Sequence, residues 1–376
     1  MSAPLTEIET PAVVLDRERL LANLDRVASI AARHGVRLRP HVKTHKCLEI
    51  AGLQLDRGAV GITAAKVDEA LVFIENGMRS VTVAYPLVDR RKVHRLLASA
   101  RNHGTELRVT VDSRRGVEIL AQSATELGVS VGVFLEIDVG LHRCGVREDA
   151  PDLVQLARSL SGSRSLQFLG LLSHAGHAYG SADRAGVEAI AAEECAILRR
   201  VRGTLESAGI EVAEVSVGST PTVLASVDYE GITEIRPGNY VFMDRTPVRL
   251  GLATLEQVAL TVVATVVSRN DAFLITDAGS KVLSSDLGAH GTGGAGGFGV
   301  AFPLNCAPIG AAGLNVAKLS EEHGFIERTA DIPVGARLRI VPNHACPVVN
   351  LADELLVVSD EQLVDRWHVA ARGSVR

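Results

Sequence analysis

The segment Arg39-Pro40-His41-Val42-Lys43-Thr44-His45-Lys46 sets a lysine between the short apolar run Val36-Arg37-Leu38 and Leu48-Glu49-Ile50-Ala51, which reads as a helix start. Lys43 therefore sits where a strand gives way to a loop. If the strand continues through these residues, His41 and Lys43 face the same way. A lysine at the carboxyl end of a parallel strand points into the mouth of an α/β barrel. Desolvation or neighbouring cations there lower its pKa and make it an amine nucleophile. Taken alone, the octapeptide also fits a solvated basic turn.

Two later segments, Gly218-Ser219-Thr220-Pro221-Thr222 and Arg236-Pro237-Gly238-Asn239-Tyr240, combine glycines with hydroxyls. Glycine lets backbone N–H groups approach phosphate oxygens, Ser and Thr add donors, and the loops after strands seven and eight are the usual phosphate site of a barrel. Two tight structural turns are the alternative. A strand-end lysine facing a phosphate cradle suggests pyridoxal 5′-phosphate, held by a Schiff base at one end and by its phosphate at the other. In Pro342-Asn343-His344-Ala345-Cys346-Pro347, an extended chain would project His344 and Cys346 to one side. Imidazole and thiolate suit zinc, and two protein ligands leave positions open for water and substrate. A lone His-x-Cys is more often core than ligand.

The elements that must present these groups follow a repeat of short apolar run and amphipathic helix. Strand candidates are 37–42, 60–65, 80–86, 107–113, 131–138, 166–174, 211–218 and 232–240, with helix-like segments such as 66–76, 90–102, 115–127, 153–160 and 184–207 between them. Eight such units predict an α/β fold, a closed (β/α)₈ barrel over residues 18–248. A doubly wound open sheet is the runner-up, but no Gly-x-Gly-x-x-Gly marks its first turn. Beyond residue 250 the segments 255–267, 272–276, 336–342 and 355–359 are β-rich. They predict a β domain built from 249–376 and the N-terminal strand within 1–17. The glycine-rich run 288–299 reads as a loop, since it lacks the Lys-Ser/Thr ending of a P-loop.

Net charge of -5 gives no reason to expect nucleic acid. No basic and apolar leader opens the chain and no apolar run is long enough to cross a bilayer, so a cytoplasmic, membrane-free protein is expected. Five scattered cysteines, odd in number, argue against a disulfide framework.

Over nearly its whole length the chain resembles the fold-type III pyridoxal phosphate enzymes of the D-serine dehydratase and D-threonine aldolase family, distant relatives of alanine racemase. Pro40 to Lys46 looks like their cofactor-lysine motif and Asp138 to Gly145 like their arginine loop; 218–222 and 236–240 look like their phosphate turns. The resemblance implies Lys43 as the catalytic, Schiff-base residue and Arg143 near the cofactor's phenolic oxygen or the lysine. It implies Gly218, Ser219, Thr220, Gly238, Asn239 and Tyr240 around the phosphate. Relatives carry a tyrosine near the ring nitrogen where this chain has Ser173; Tyr179 is the other candidate for that place.

It further implies a divalent metal on His344 and Cys346, zinc first, with manganese or magnesium as alternatives. In the resembling family the dehydratases use His-x-Cys and the aldolases His-x-Asp, so Cys346 sides with the dehydratases. The implied reaction is β-elimination of water from a small D-3-hydroxy amino acid, giving a 2-oxo acid and ammonia. Retro-aldol cleavage to glycine and an aldehyde is the alternative. Racemisation ranks lower because all four tyrosines precede residue 241. A non-catalytic pyridoxal phosphate carrier and a metal-dependent barrel hydrolase close the field. A homodimer, each β domain closing its partner's barrel, is also implied.

Overall fold

The computed structural model describes residues 3–289, 296–304 and 313–376. Half of the glycine-rich run, 290–295, and Cys306 lie outside them.

The first strand, β1 (Ala12–Asp16), leads into helix Arg17–His34. Asp16 caps that helix by accepting the Arg19 N–H at 3.0 Å, and it ends at Gly35 in the left-handed conformation. Leu20, Leu24, Val27 and Ala31 recur at three- and four-residue intervals and form its buried face. Asp89, Ser113 and Asp183 cap three later helices in the same way.

Parallel strands then alternate with helices: β2 (Arg37–Leu38), β3 (Ile62–Ala64), β4 (Ser80–Pro86), β5 (Glu106–Val111), β6 (Val131–Ile137), β7 (Leu166–Ser173), β8 (Glu214–Val217) and β9 (Glu234–Ile235). They lie in the order β2-β9-β8-β7-β6-β5-β4-β3. The ring closes between its ends, where Val60 N–H donates to the Leu38 carbonyl at 2.9 Å and Thr63 N–H to the Pro40 carbonyl at 2.8 Å. Near the amino ends of the strands the interior holds charges in place of apolar layers. Glu234 accepts from Arg39 at 2.8 Å, Arg108 at 2.9 Å and Ser216 at 2.6 Å, all buried. Buried ions persist only when paired in this way.

The remaining strands are β10 (Leu260–Arg269), β11 (Phe273–Thr276), β12 (Gly299–Pro303), β13 (Leu314–Leu319), β14 (Gly324–Glu327), β15 (Arg337–Pro342), β16 (Glu354–Ser359) and β17 (Gln362–His368). With β1 they form a second sheet, β11-β14-β13-β12-β15-β10-β1-β16-β17, and an added β10–β11 pairing curls six of them into a small barrel. One cluster of buried apolar side chains runs through both sheets. Among the described residues no helix is long and apolar enough to cross a membrane.

The strand expectations differ from the structure at two places that matter for the site. The segments 37–42 and 232–240 shrink to two residues each; Pro40 and Pro237 cannot donate, and beyond the ladder only single bonds persist, such as His41 N–H to the Pro237 carbonyl at 3.0 Å. The chain beyond residue 250 also holds β12, β13, β14 and β17, which the β-rich segments did not include.

Candidate active site

A cavity of about 740 Å³ opens at the carboxyl ends of β2 to β9, where the barrel meets the second sheet. Lys43, Arg143, Tyr179, Gly218, Ser219, Thr220, Gly238, Asn239, His344 and Cys346 all line it.

Lys43 sits on a single 3₁₀ turn, Val42–Thr44, rather than on a continuing strand, and its backbone N–H donates to His41 Nδ1 at 3.4 Å. Burial lowers the pKa of its amine; Arg143 and Arg236 add to that, while Cys346 and Glu69 oppose it. Burial and the charge of Lys43 likewise hold His41 well below the usual imidazole range.

Arg143 is presented by a loop that Asp138 organises. Its carboxylate accepts the Gly140 and His142 N–H groups, each at 3.0 Å, and bonds the His142 ring at 2.7 Å. Gly145 closes the loop at φ +105, where an added Cβ would lie 2.6 Å from the Asp138 nitrogen. Asp112, behind it, accepts the Gly145 N–H at 3.1 Å.

Ser219 caps helix Thr220–Ala225 in a reciprocal box with Thr222, and Thr220 Oγ1 accepts the Tyr240 N–H at 3.1 Å, which locks the two turns together. The Tyr179 phenol reaches Thr220, and burial raises its pKa. Two expected contributors are placed elsewhere. Ser173 turns its hydroxyl to Glu194 at 2.6 Å, and the Tyr240 hydroxyl accepts from Gln54 at 3.0 Å, so neither side chain lines the cavity. The partner in each case is a buried polar side chain, which satisfies the hydroxyl away from the cavity. Arg236, from the second turn, does line the cavity. It donates to Ser216 at 2.6 Å and to the Ser173 carbonyl at 2.5 Å, and burial lowers its pKa to about 10.

His344 and Cys346 are not on an extended segment. His344 is the N-cap of helix Ala345–Leu351 and Cys346 lies in its first turn, yet both face the cavity. Burial alone would lower the His344 pKa; the Cys346 thiolate and the Asp286 carboxylate, 2.8 Å from Nδ1, outweigh it and raise it to about 10. Burial opposes ionisation of Cys346, but His344 and Thr44 bring its pKa below the ordinary thiol value. The two side chains are hydrogen-bonded to each other. Within one chain the Cys346 sulfur lies 3.3 Å from Thr44 Oγ1, so the chain's own β domain brings this pair to its own lysine turn.

The alanine racemase N-terminal domain family matches residues 15–246, and the serine dehydratase domain family matches residues 259–358. The chain belongs to the alanine racemase-like family. Among its relatives, the D-threo-3-hydroxyaspartate dehydratase of Delftia sp. (strain HT23) is 36% identical over 358 residues, 92% of this chain and 93% of its own length. The D-threonine aldolase of Arthrobacter sp is 34% identical over 386 residues, 99% of this chain and 95% of its own length. The solved Delftia dehydratase superimposes with a TM-score of 0.90 at 34% identity, covering 97% of this chain and 98% of that one. A cysteine-to-alanine mutant of such a dehydratase, in the metal-free form, also gives 0.90.

The residues of this alanine racemase-like chain fit both groups that its relatives suggest. The Gly238 and Asn239 N–H groups donate to no described acceptor, which leaves donors free for a phosphate. A Cβ on Gly238 would lie 2.9 Å from Thr44 Oγ1, so glycine keeps that approach open. Thiolate and imidazole are soft and borderline donors suited to zinc; Asp286 holds Nδ1, and a cation would bind the other ring nitrogen and the sulfur in place of the proton that the two side chains share. Among the described residues no three His, Cys, Asp or Glu side chains cluster as a closed metal cage. Two working residues carried no sequence signal. Asp286 lies 58 residues from His344. Asp244, buried, accepts from Asn239 at 2.9 Å and from the Ala345 N–H at 3.0 Å, and so ties the second phosphate turn to the helix of Cys346.

Proposed function

We propose that this chain is a lyase that uses pyridoxal 5′-phosphate and a divalent cation to remove water from small D-3-hydroxy amino acids. The observation that carries the reading is the convergence of one buried amine, one set of open backbone donors and one thiolate–imidazole pair on a single cavity. In this reading the barrel, 18–248, carries the coenzyme, and the β domain, 1–17 with 249–376, brings the cation. Lys43, Arg143, Tyr179, Gly218, Ser219, Thr220, Gly238 and Asn239 would hold pyridoxal phosphate, which supplies an electron sink for charge developing on the substrate α-carbon. His344 and Cys346 would hold the cation, zinc by donor type, which supplies a Lewis acid at the β-oxygen.

Lys43 Nζ takes the α-proton. Burial and the guanidinium groups of Arg143 and Arg236 favour the neutral amine that this transfer requires. The Asp138-built loop fixes Arg143, and Asp286 fixes the His344 ring. Loss of water from the β-hydroxy amino acid leaves an enamine; its imine tautomer takes that water back and yields a 2-oxo acid and ammonia. Retro-aldol cleavage is the second reading, favoured by the similarity to D-threonine aldolase and disfavoured by Cys346 where the resembling aldolases carry aspartate. Incubating cation-loaded holoenzyme with D-threo-3-hydroxyaspartate, D-serine and D-threonine separates them: 2-oxo acid with equimolar ammonia is expected. Glycine and aldehyde without ammonia would overturn the dehydratase reading.

A further inference from the structure

Lys66 lines the same cavity, yet the reaction above gives it no task. It follows β3, and its ammonium lies 3.6 Å from the centroid of the Tyr85 ring, which stands at the end of β4 on the same wall. The acids nearest to it in sequence are occupied elsewhere. Asp68 pairs with Arg95 and, at 3.5 Å, with Arg376. Glu69 accepts the Ala65 N–H at 2.5 Å and faces Lys46 at 3.9 Å. Asp112 and Glu136, the other carboxylates of the cavity, belong to the arginine loop through the Gly145 N–H and the Cys144 thiol. Lys66 has no ion pair among the described residues.

The position of this wall relative to the thiolate–imidazole pair follows from Lys46. Its ammonium donates to Asn350 Oδ1 at 2.9 Å and to the Ser374 carbonyl at 3.3 Å. Asn350 is one turn beyond Cys346 on helix Ala345–Leu351, so Lys46 adjoins the cation pair, and Lys66 lines the same cavity. A substrate whose β-oxygen lies at His344 and Cys346 directs the rest of its β-carbon towards that wall. An ammonium steadied over an aromatic ring, with no acid of its own, is a receptor for a carboxylate.

We infer that Lys66 binds a second carboxylate, carried on the substrate β-carbon, and so selects 3-hydroxy amino dicarboxylic acids over serine- and threonine-like substrates. The inference rests on the lyase reading for the direction in which the substrate lies. Losing one charge-assisted bond should cost about tenfold to a hundredfold in affinity.

The test compares holoenzyme, Lys66→Gln and Lys66→Arg. In Lys66→Gln the ratio of kcat/KM for D-threo-3-hydroxyaspartate over D-serine should fall by that factor, mainly through KM, and Lys66→Arg should restore most of it. An equal loss on both substrates would place the α-carboxylate at Lys66 and overturn the inference, as would no change. Calorimetric titration with succinate and propionate reads the same subsite without turnover. The wild type should prefer succinate and Lys66→Gln should not; a wild type without that preference overturns the inference. If no amino acid is turned over while the succinate preference appears and depends on Lys66, the lyase reading fails and the dicarboxylate subsite stands.

Discussion

Burial strips water from an ammonium and penalises its charge, and Lys43 and Lys46 both respond with lowered pKa values. Their environments differ: Lys46 has Asn350 and Glu69 to hold its proton, while Lys43 faces two arginines. Lys43→Ala should therefore abolish turnover and the visible absorbance of added coenzyme together, checked by spectrophotometry beside the product assay. Asp286→Ala removes the partner of the His344 ring and should weaken cation binding by about 10- to 100-fold, measured by competition with a chromophoric chelator. Glu234 carries a pH consequence. Burial alone would raise its pKa, but Arg39 and Arg108 outweigh it and bring it to about 2. Because that lies below the unfolded value of about 4.3, the folded state gains stability that is complete above pH ~5 and is lost as pH falls towards ~2. Glu234→Gln should flatten that acid limb in urea melts and destabilise the protein by about 3–5 kcal/mol, since Arg39 is left buried without its counter-charge while Arg108 keeps only Glu214. Lys43, Cys346 and His344 were legible in the sequence because each lies in a short motif. Asp286 and Asp244 were not, since only folding brings them to His344 and Ala345.

The two shortest strands, β2 and β9, deliver the two most informative turns. The residues that follow each ladder, Arg39-Pro40-His41 and Arg236-Pro237-Gly238, carry polar groups and a proline, so periodicity placed the strands but not their ends. Helix Arg184–Ser207 was legible to the residue because Asp183 caps it and its apolar stripe is long. By contrast, Cys346 was expected on an extended segment and lies in a helical turn, because His344-Ala345-Cys346 contains no propensity strong enough to distinguish the two. Gly238 sits between both turns and tests the cradle directly. Gly238→Ala would drive a Cβ to 2.9 Å from Thr44 Oγ1 and 3.1 Å from the His41 carbonyl, at a φ that alanine tolerates. Coenzyme affinity should fall by at least about tenfold with far-UV circular dichroism unchanged, measured by fluorescence titration.

Across the whole chain, the buried apolar cluster continues from the parallel ring into the antiparallel sheet, which argues for one cooperative unit rather than two. The molecule provides its own pair of probes. Its single tryptophan, Trp367, is buried in β17, whereas ellipticity at 222 nm is dominated by the helices around β2 to β9. Urea transitions followed by Trp367 fluorescence and by ellipticity should coincide; separated midpoints would show that the halves unfold independently. The N-terminal strand has a consequence of another kind. β1 pairs with β10 through Leu260 to Val263 and with β16 through Leu356 to Val358. On a ribosome, Ala12–Asp16 emerges hundreds of codons ahead of its second neighbour. At about 5–20 residues per second, that interval is roughly 17 to 70 s. Throughout it the edge of the nascent segment that β16 will cover has its hydrogen-bonding groups unmatched, so this early strand is among the last to be enclosed on both sides.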